Sequence, residues 1–321
     1  MKAVPAVSRR GFLRLATTAG AAAFADGCAM PRFFTGTKAD FDDNLVVFLS
    51  DLHVRNKTCY QYRYFASQVA EILRMNPLPR RVVVFGDIAY QCGLKDEYAT
   101  SAPFFRQMVD LGMEVVFGMG NHDRRSAFLE TWPEYAARQI FPGRIVSSTN
   151  LGPVDLLMLD GLQGTDDRRP DDMGPVPGDF DKPQQEWIAD RLPKLARPTI
   201  VASHYPLVDL KVCGRPFKQV LAAAPNVAGY IHGHDHRWKT DWIARGWKNS
   251  NIIRTLCLPS TGHWGDIGYT TFRLSDKGAV AAFVQKGFFF LSPDMPRTPA
   301  WDDIEREHRA ATCAFSWSCL S

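Results

Sequence analysis

The chain has 321 residues, of which 45% are hydrophobic and 22% are charged, and its formal net charge is +4. These values are typical of a globular protein with a sizeable core. Residues 1–27 carry a net charge of +3, so the remainder of the chain is nearly neutral. Nothing in a nearly neutral body argues for a broad nucleic-acid-binding surface.

Two adjacent arginines, Arg9 and Arg10, precede a weakly apolar, alanine-rich run that ends at Ala25. The order Ser-Arg-Arg-x-Phe-Leu resembles the twin-arginine export signal. This resemblance implies that the twin-arginine translocase exports the protein to the periplasm or another extracytoplasmic compartment. The alternative is an arginine-rich mitochondrial presequence. The apolar run is too short for a transmembrane helix, and no later segment reaches about 18 uninterrupted apolar residues, which predicts a soluble body.

Cys28 follows a small residue, Gly27, at the end of this leader. The arrangement resembles a bacterial lipobox, although the acid at Asp26 departs from that pattern. Residues 1–28 are thus predicted to be a signal peptide, with a lipid on Cys28 as the one membrane contact or with ordinary cleavage nearby as the alternative. The six later cysteines form no close CxxC pair of the zinc-binding kind, and their spacing does not assign disulfides.

The rest of the chain predicts a linker at 29–43, one α/β domain at 44–294 and a peripheral tail at 295–321. Strands are predicted at 45–49, 81–85, 113–117, 154–159, 199–202, 227–231, 252–258, 269–274 and 280–285. Helices are predicted at 60–76, 98–111, 126–139 and 183–195. An acidic loop rich in glycine and proline spans 161–181, and loops of this kind often border a site.

Polar side chains follow five of these strands, and residues 230–236 alone hold three of the eight histidines. The strand ends carry Asp51 and His53, Asp87, Asn121 with His122 and Asp123, His204, and finally His234 and His236. In open α/β sheets ligands bind at the carboxyl ends of strands, so we expect these side chains to meet at one rim. Oxygen and imidazole donors without thiolate suit Fe, Mn or Zn, and the set exceeds what one metal needs. Each residue alone has an ordinary structural explanation, but their joint placement favours a metal site.

Taken together, Asp-x-His, Gly-Asp, Gly-Asn-His-Asp, a later His and Gly-His-x-His resemble the calcineurin-like metallophosphoesterases, from about Asn44 to His236. The resemblance implies a four-layer α/β/β/α sandwich of two mixed sheets. It also implies a hydrolase that acts on a small phosphate ester with two metal ions. One metal would be held by Asp51, His53, Asp87 and His236. The other would be held by Asp87, Asn121, His204 and His234, so that Asp87 bridges the pair.

The same resemblance places His122 beside the metals as a catalytic residue, oriented by Asp123. A hydroxide held by the metal pair would attack phosphorus, and a protonated His122 would donate to the leaving oxygen. His232 lies outside the ligand pattern and is predicted to be a packed or rim residue.

Within the family, Gly120–Phe128 and Pro259–His263 resemble segments of the cyclic-nucleotide and glycerophosphodiester phosphodiesterases. A phosphodiester substrate is therefore expected, with Arg124 and His263 as candidate substrate-binding residues. A solvated pair of arginines at 124 and 125 and a plain loop histidine at 263 are the alternatives. Ser203–Pro206 departs from the usual double-histidine, double-proline sequence. An exported phosphomonoesterase that scavenges phosphate remains open, as does a non-catalytic binding protein on the same fold.

Overall fold

The computed structural model of the protein describes residues 39–164, 174–245, 252–289, 311–317 and 320. The predicted export signal and Cys28 lie outside the described residues. Among the residues that are described, no helix is both long and apolar enough to cross a membrane.

The first sheet contains strands from both ends of the domain. Its strands are β1 (Phe41–Leu49), β2 (Leu78–Val84), β3 (Glu114–Phe117), β12 (Gly265–Ser275), β13 (Gly278–Phe289) and β14 (Thr312–Ser316). Within the described chain their order across the sheet is β14-β13-β12-β1-β2-β3. The pairs β1–β2 and β2–β3 are parallel, whereas β12 pairs antiparallel with β1. The sheet is therefore mixed, with its parallel half formed by the first three strands.

The second sheet is formed by the middle of the chain. Its strands are β4 (Ser147–Asn150), β5 (Asp155–Met158), β6 (Thr199–Ala202), β9 (Val227–His232), β10 (Lys239–Ala244) and β11 (Ile252–Cys257). In the described residues their order is β10-β11-β9-β6-β5-β4, and β5, β6, β9 and β11 run parallel. A separate small hairpin pairs β7 (Lys211–Val212) with β8 (Arg215–Pro216).

Helices cover the outer face of each sheet. The helices are α1 (Tyr60–Ile72), α2 (Lys95–Ala99), α3 (Ala102–Asp110), α4 (Arg125–Thr131), α5 (Lys182–Arg191) and α6 (Phe217–Ala223). The helix predicted at 126–139 ends at Thr131, and a 3₁₀ helix follows over Pro133–Arg138. The reason is Pro133, which has no N–H to continue the α-helical hydrogen bonds.

Three apolar layers hold the domain together. Side chains of both sheets, such as Phe48, Met158 and Phe272, form one core between them. Phe217 belongs to a second cluster on the outer face of the second sheet. Aromatic ring contacts, including Phe105 against Phe117, cover the outer face of the first sheet. The four-layer α/β/β/α sandwich predicted from the sequence is confirmed.

The domain limits differ from the prediction at both ends. β1 begins at Phe41, inside the predicted linker. The segment 312–316, predicted as part of a peripheral tail, forms β14 and pairs with β13. Cys313, Phe315 and Trp317 alternate inward and join the core between the sheets. An alternation over so few residues is a weak signal in a sequence, which explains why the strand was missed.

Candidate dinuclear metal centre

Five loops meet at one rim that the two sheets share. They follow β1, β2 and β3 of the first sheet and β6 and β9 of the second. These loops carry the seven predicted ligands, Asp51, His53, Asp87, Asn121, His204, His234 and His236. Backbone hydrogen bonds join neighbouring loops, because Asp51 N donates to Gly86 O at 3.2 Å and Gly233 N donates to His204 O at 3.0 Å. The side chains that follow these strands therefore meet at one rim, as predicted, although the rim is formed by two sheets.

The first cluster of donors contains four buried side chains, Asp51, His53, Asp87 and His236. One ligand atom of each lies within 4.8 Å of the others. Nε2 of His236 lies 3.1 Å from Oδ1 of Asp51. Nε2 of His53 lies 3.3 Å from Oδ2 of Asp87. This is the set of side chains that the family resemblance assigned to one metal.

The second cluster shares Asp87 with the first and adds His204 and His234. Oδ2 of Asp87 lies 3.3 Å from Nε2 of His204, the same distance that separates it from His53. The side-chain oxygen of Asn121 lies 2.9 Å from Nε2 of His204 and 2.8 Å from Nδ1 of His234. Asp87 thus stands between the two clusters, in the position that a bridging carboxylate requires.

Three of the histidines are held by backbone carbonyls through their second ring nitrogen. Nδ1 lies 3.1 Å from Tyr90 O in His53, 2.9 Å from Phe85 O in His204 and 3.0 Å from Trp264 O in His236. Because a carbonyl oxygen only accepts, Nδ1 of each ring carries a hydrogen, and Nε2 is the atom that faces the carboxylates and would bind a metal. Such outer contacts are typical of metal-ligating histidine, because they fix the tautomer and the ring orientation.

Backbone strain is concentrated in this donor set. Among the described residues, the non-glycine positions with positive φ are Asp51, His53, Asp87, Cys213, His234 and His236. Five of these six belong to the predicted ligands. Each such conformation costs on the order of 1–3 kcal/mol and persists where the surrounding structure enforces it, commonly at functional sites.

Two glycines let the loops approach the carboxylates closely. A Cβ on Gly120 would lie 2.2 Å from Oδ1 of Asp87, and one on Gly233 would lie 2.7 Å from Oδ2 of Asp51. Both distances are far below contact, so these positions require glycine. The close approach explains why glycine is the first residue of the Gly-Asn-His-Asp and Gly-His-x-His motifs.

The buried carboxylates of Asp51 and Asp87 need positive charge nearby to balance them. In the ion pairs of the described residues, Asp51 and Asp87 face only histidines. Burial raises the pKa of Asp87, but His204 and His53 outweigh it and hold that pKa well below its usual range. Burial lowers the pKa of His204, yet the charges of Asp87 and Asp51 raise it to about 9. Without cations, protons on the imidazoles balance the carboxylates, and metal ions would replace those protons.

The donor set therefore fits two metal ions. Nε2 of His53 is buried and faces the Asp87 carboxylate at 3.3 Å without forming a regular hydrogen bond, which suits an atom that would bind a cation. The first ion would be held by Asp51, His53, Asp87 and His236, and the second by Asp87, Asn121, His204 and His234. When bound, two such ions polarise phosphate oxygens and lower the pKa of water.

The model of the calcineurin-like phosphoesterases matches residues 45–238, which is more than half of the chain. The chain belongs to the calcineurin-like phosphoesterase family. A dimetal phosphatase from Danio rerio is similar in fold, with a TM-score of 0.59 and 13% identity over 85% of this chain and 99% of that chain. The structure of PhoD gives a TM-score of 0.50 and 13% identity over 76% of this chain and 66% of that chain. No curated protein sequence matches this chain.

The phosphoesterase acts on phosphate esters, and His122 lies where it can contact them. Its backbone N donates to Oδ1 of Asp87 at 2.9 Å, and its ring packs edge-on against His53 with centroids 4.6 Å apart. The ring lines the cleft above the donor clusters. Burial lowers the pKa of His122 to about 4, so the imidazole is neutral at neutral pH, whereas a protonated ring was expected. It therefore offers a neutral N–H.

Asp123 braces the loops and does not bond Nδ1 of His122. Its carboxylate accepts from the backbone N–H groups of Ile88, Ala89 and Gly120, at 3.1, 3.0 and 2.9 Å, and from the Tyr98 hydroxyl at 3.1 Å. Nδ1 of His122 is buried without a hydrogen-bond partner. An orienting role of Asp123 would therefore not act through a hydrogen bond to Nδ1 of His122. The carboxylate instead fixes the loop after β2 against the loop after β3.

The cleft of this phosphoesterase measures about 490 Å³. Besides six of the residues already described, its lining contains Asp235, Arg237, Lys239, His263 and Trp264. Arg237, Lys239 and Trp264 were not predicted as site residues, because only their spatial approach to the rim distinguishes them from other surface residues.

His263 is a cleft residue, as one of the two alternatives predicted. Nδ1 lies 3.2 Å from the Tyr60 hydroxyl and 3.3 Å from Nε2 of Gln61. Burial, followed by the charges on His53 and His236, lowers the pKa of His263 to about 2, so the ring is neutral. Because Gln61 Nε2 can only donate, Nδ1 is the acceptor and Nε2 carries the hydrogen.

The two arginines after Asp123 are neither solvated nor in the cleft lining. Arg124 is buried, and its Nε donates to Cys92 O at 2.7 Å. Arg125 is buried in a two-point ion pair with Asp160, at 2.6 and 2.9 Å. Arg125 also donates to Gly164 O at 2.8 Å, so it holds the start of the acidic loop. Arg124 therefore does not line the cleft, whereas Arg237 and Lys239 are cationic side chains that do.

Proposed function

We propose that this phosphoesterase hydrolyses phosphodiesters. The observation that carries the proposal is the size and lining of the cleft. Its volume of about 490 Å³ lies within the range of small-molecule sites and leaves room for an ester group on each side of a phosphate. Trp264 is 38% exposed and packs against His236 with the two rings tilted by 31° and their centroids 4.4 Å apart. An exposed indole beside the donor clusters suits an apolar or flat substituent of a diester.

Three side chains have different proposed roles around the phosphate. The neutral N–H of His122 would stabilise charge on the leaving oxygen. Nε2–H of His263 would donate to a second oxygen, because Tyr60 and Gln61 hold its other nitrogen. The carboxylate of Asp123 would keep the loops that carry Asp87 and Asn121 in register.

The alternative activity, hydrolysis of phosphomonoesters, is favoured by one observation. Arg237 and Lys239 are both exposed side chains that line the cleft. A monoester carries one more negative charge than a diester at neutral pH, and two cations at the rim would bind it more strongly.

Kinetics on bis-nitrophenyl phosphate and on mono-nitrophenyl phosphate tests the proposal, because the leaving group is the same. We expect a higher kcat/KM for the diester in the metal-loaded enzyme. Lys239→Ala should lower kcat/KM for the monoester more than for the diester, since it removes a charge that only the dianion needs. A higher kcat/KM for the monoester that is lost in Lys239→Ala would establish the phosphomonoesterase instead.

We propose further that the twin-arginine pathway exports the enzyme after its metals are bound. The ligands lie on five separate loops, so the site exists only in the folded chain, and metal capture is coupled to folding. Outside the cytoplasm copper and zinc compete strongly at nitrogen and oxygen donors. Folding inside would let iron or manganese, with or without zinc, bind first. A lipid on Cys28 would then retain the exported enzyme at the membrane.

Changing Arg9 and Arg10 to lysine should leave active, metal-loaded protein in the cytoplasm, which fractionation and metal analysis will show. Replacing residues 1–28 by a signal for export of unfolded chains should give protein with altered metal content and low activity. Equal metal content and equal activity by both routes would refute the coupling of export to metal loading, while leaving the phosphoesterase activity unaffected.

A further inference from the structure

A third group of metal-binding side chains lies beside the dinuclear site and includes a thiol. The group contains His232, Asp235 and Cys257, and one ligand atom of each lies within 4.8 Å of the others. None of the three belongs to the two donor clusters of the dinuclear site. His232 and Cys257 are buried, whereas Asp235 is exposed.

The pairing of the strands places the imidazole and the thiol side by side. β9 and β11 are parallel neighbours, and the register aligns His232 with Cys257 at their carboxyl ends. Aligned residues on neighbouring strands project from the same face of a sheet. The Leu258 N–H donates to His232 O at 2.8 Å and holds this alignment one residue beyond the strand.

The turn after β9 brings the carboxylate to the same place. Along residues 232–236, His234 and His236 face the dinuclear clusters, while His232 and Asp235 lie with Cys257. Nδ1 of His232 lies 2.9 Å from Gly233 O, so that nitrogen carries the hydrogen and Nε2 keeps its lone pair. This is the same carbonyl restraint that orients the histidines of the dinuclear site.

We propose that His232, Asp235 and Cys257 form a third metal site, which takes a thiophilic divalent ion such as Zn²⁺. One thiolate, one imidazole and one carboxylate are all established zinc donors, and three protein ligands leave a fourth position open. The exposed carboxylate gives the ion a path from solvent. Asp235 also lines the cleft, so a bound ion adds positive charge at its rim.

The chemistry of the donors separates this site from its neighbour. The dinuclear site offers only nitrogen and oxygen atoms, whereas the third site offers sulfur. A sulfur-to-metal charge-transfer band therefore cannot come from the dinuclear site. This readout does not depend on catalysis, so it is independent of whether the enzyme prefers diesters or monoesters.

The test is a titration of the full-length, metal-loaded enzyme with Co²⁺, followed in the near ultraviolet. We expect a thiolate-to-cobalt band that saturates at one equivalent beyond the dinuclear pair. The band should be lost in Cys257→Ser and weakened in His232→Ala, which keeps the thiol. Cys313→Ser is the matched control, because Cys313 is also buried but lies on β14 in the core between the sheets, and it should keep the band.

Thermal unfolding of each variant will show whether it is folded, and Cys257→Ala provides a second variant if the serine hydroxyl destabilises the buried position. Absence of the band in the wild-type enzyme would mean that His232 and Cys257 are only packed against each other. A band that survives in Cys257→Ser would assign it to another thiol. A band of unchanged strength in His232→Ala would remove the imidazole from the site. Each of these outcomes overturns the proposal.

Discussion

Asp87→Ala will abolish turnover and cost the enzyme at least one metal ion. Asp87 is the one carboxylate that both donor clusters share, and its Oδ2 lies 3.3 Å from Nε2 of His53 and of His204. Without it each cluster loses a charged donor, and the buried imidazoles have no carboxylate between them. The loss of the hydrogen bond from His122 N would also free the loop that positions the His122 ring. Metal analysis of the purified variant and its kcat/KM will measure both effects.

Two further variants make this result specific. Asp87→Asn keeps the volume and one oxygen, so it should retain more metal than the alanine variant while remaining severely impaired. Asp241→Ala, an exposed carboxylate on β10, makes the same substitution outside the site and should change neither quantity. Full metal content and a wild-type rate in Asp87→Ala would show that the enzyme does not need a bridged pair. Circular dichroism will confirm that the variants are folded.

The ligand positions were predictable from the sequence because they combine two local signals. Each follows an apolar strand, and the glycines before Asp87, Asn121 and His234 mark turns that only glycine permits at such close approach. The sequence could not show that the rim is shared by two sheets. Strand order depends on pairings between distant segments, such as β1 with β12, and no local pattern encodes them.

The errors have a common physical cause, since they concern side chains whose roles depend on distant partners. Arg125 was expected to be solvated in one alternative, but it is buried in an ion pair with Asp160, which lies 35 residues away in sequence. Asp123 was expected to orient His122, and its carboxylate also accepts backbone hydrogen bonds from the loop after β2, which the local sequence did not indicate. Lys239 lies on β10, an edge strand that is exposed at most positions. Its residues show no alternation of apolar and polar side chains, so the strand was not predicted from the sequence.

His122→Ala will keep both metal ions yet lose about 10²–10⁴-fold in kcat/KM for esters with poor leaving groups, the usual range for a group that assists proton transfer. The ring is absent from both donor clusters, so its removal takes away no metal ligand. It does take away the N–H that lines the cleft beside Asp87. Because burial lowers the pKa of His122 to about 4, this hydrogen bond comes from a neutral ring at neutral pH.

The dependence on the leaving group tests where that N–H acts. A donor placed at the leaving oxygen contributes most when negative charge accumulates there, as with an alkoxide, and least with nitrophenolate. The loss in His122→Ala should therefore shrink as the pKa of the leaving alcohol falls, and His122→Gln, which keeps an N–H donor, should recover part of the rate. His263→Ala is the comparison, because we propose that its N–H binds a different oxygen, so the loss in this variant should be similar for every leaving group. If His122→Ala also shows one constant loss, the ring stabilises the non-bridging oxygens instead, and the leaving group departs without help from this side chain.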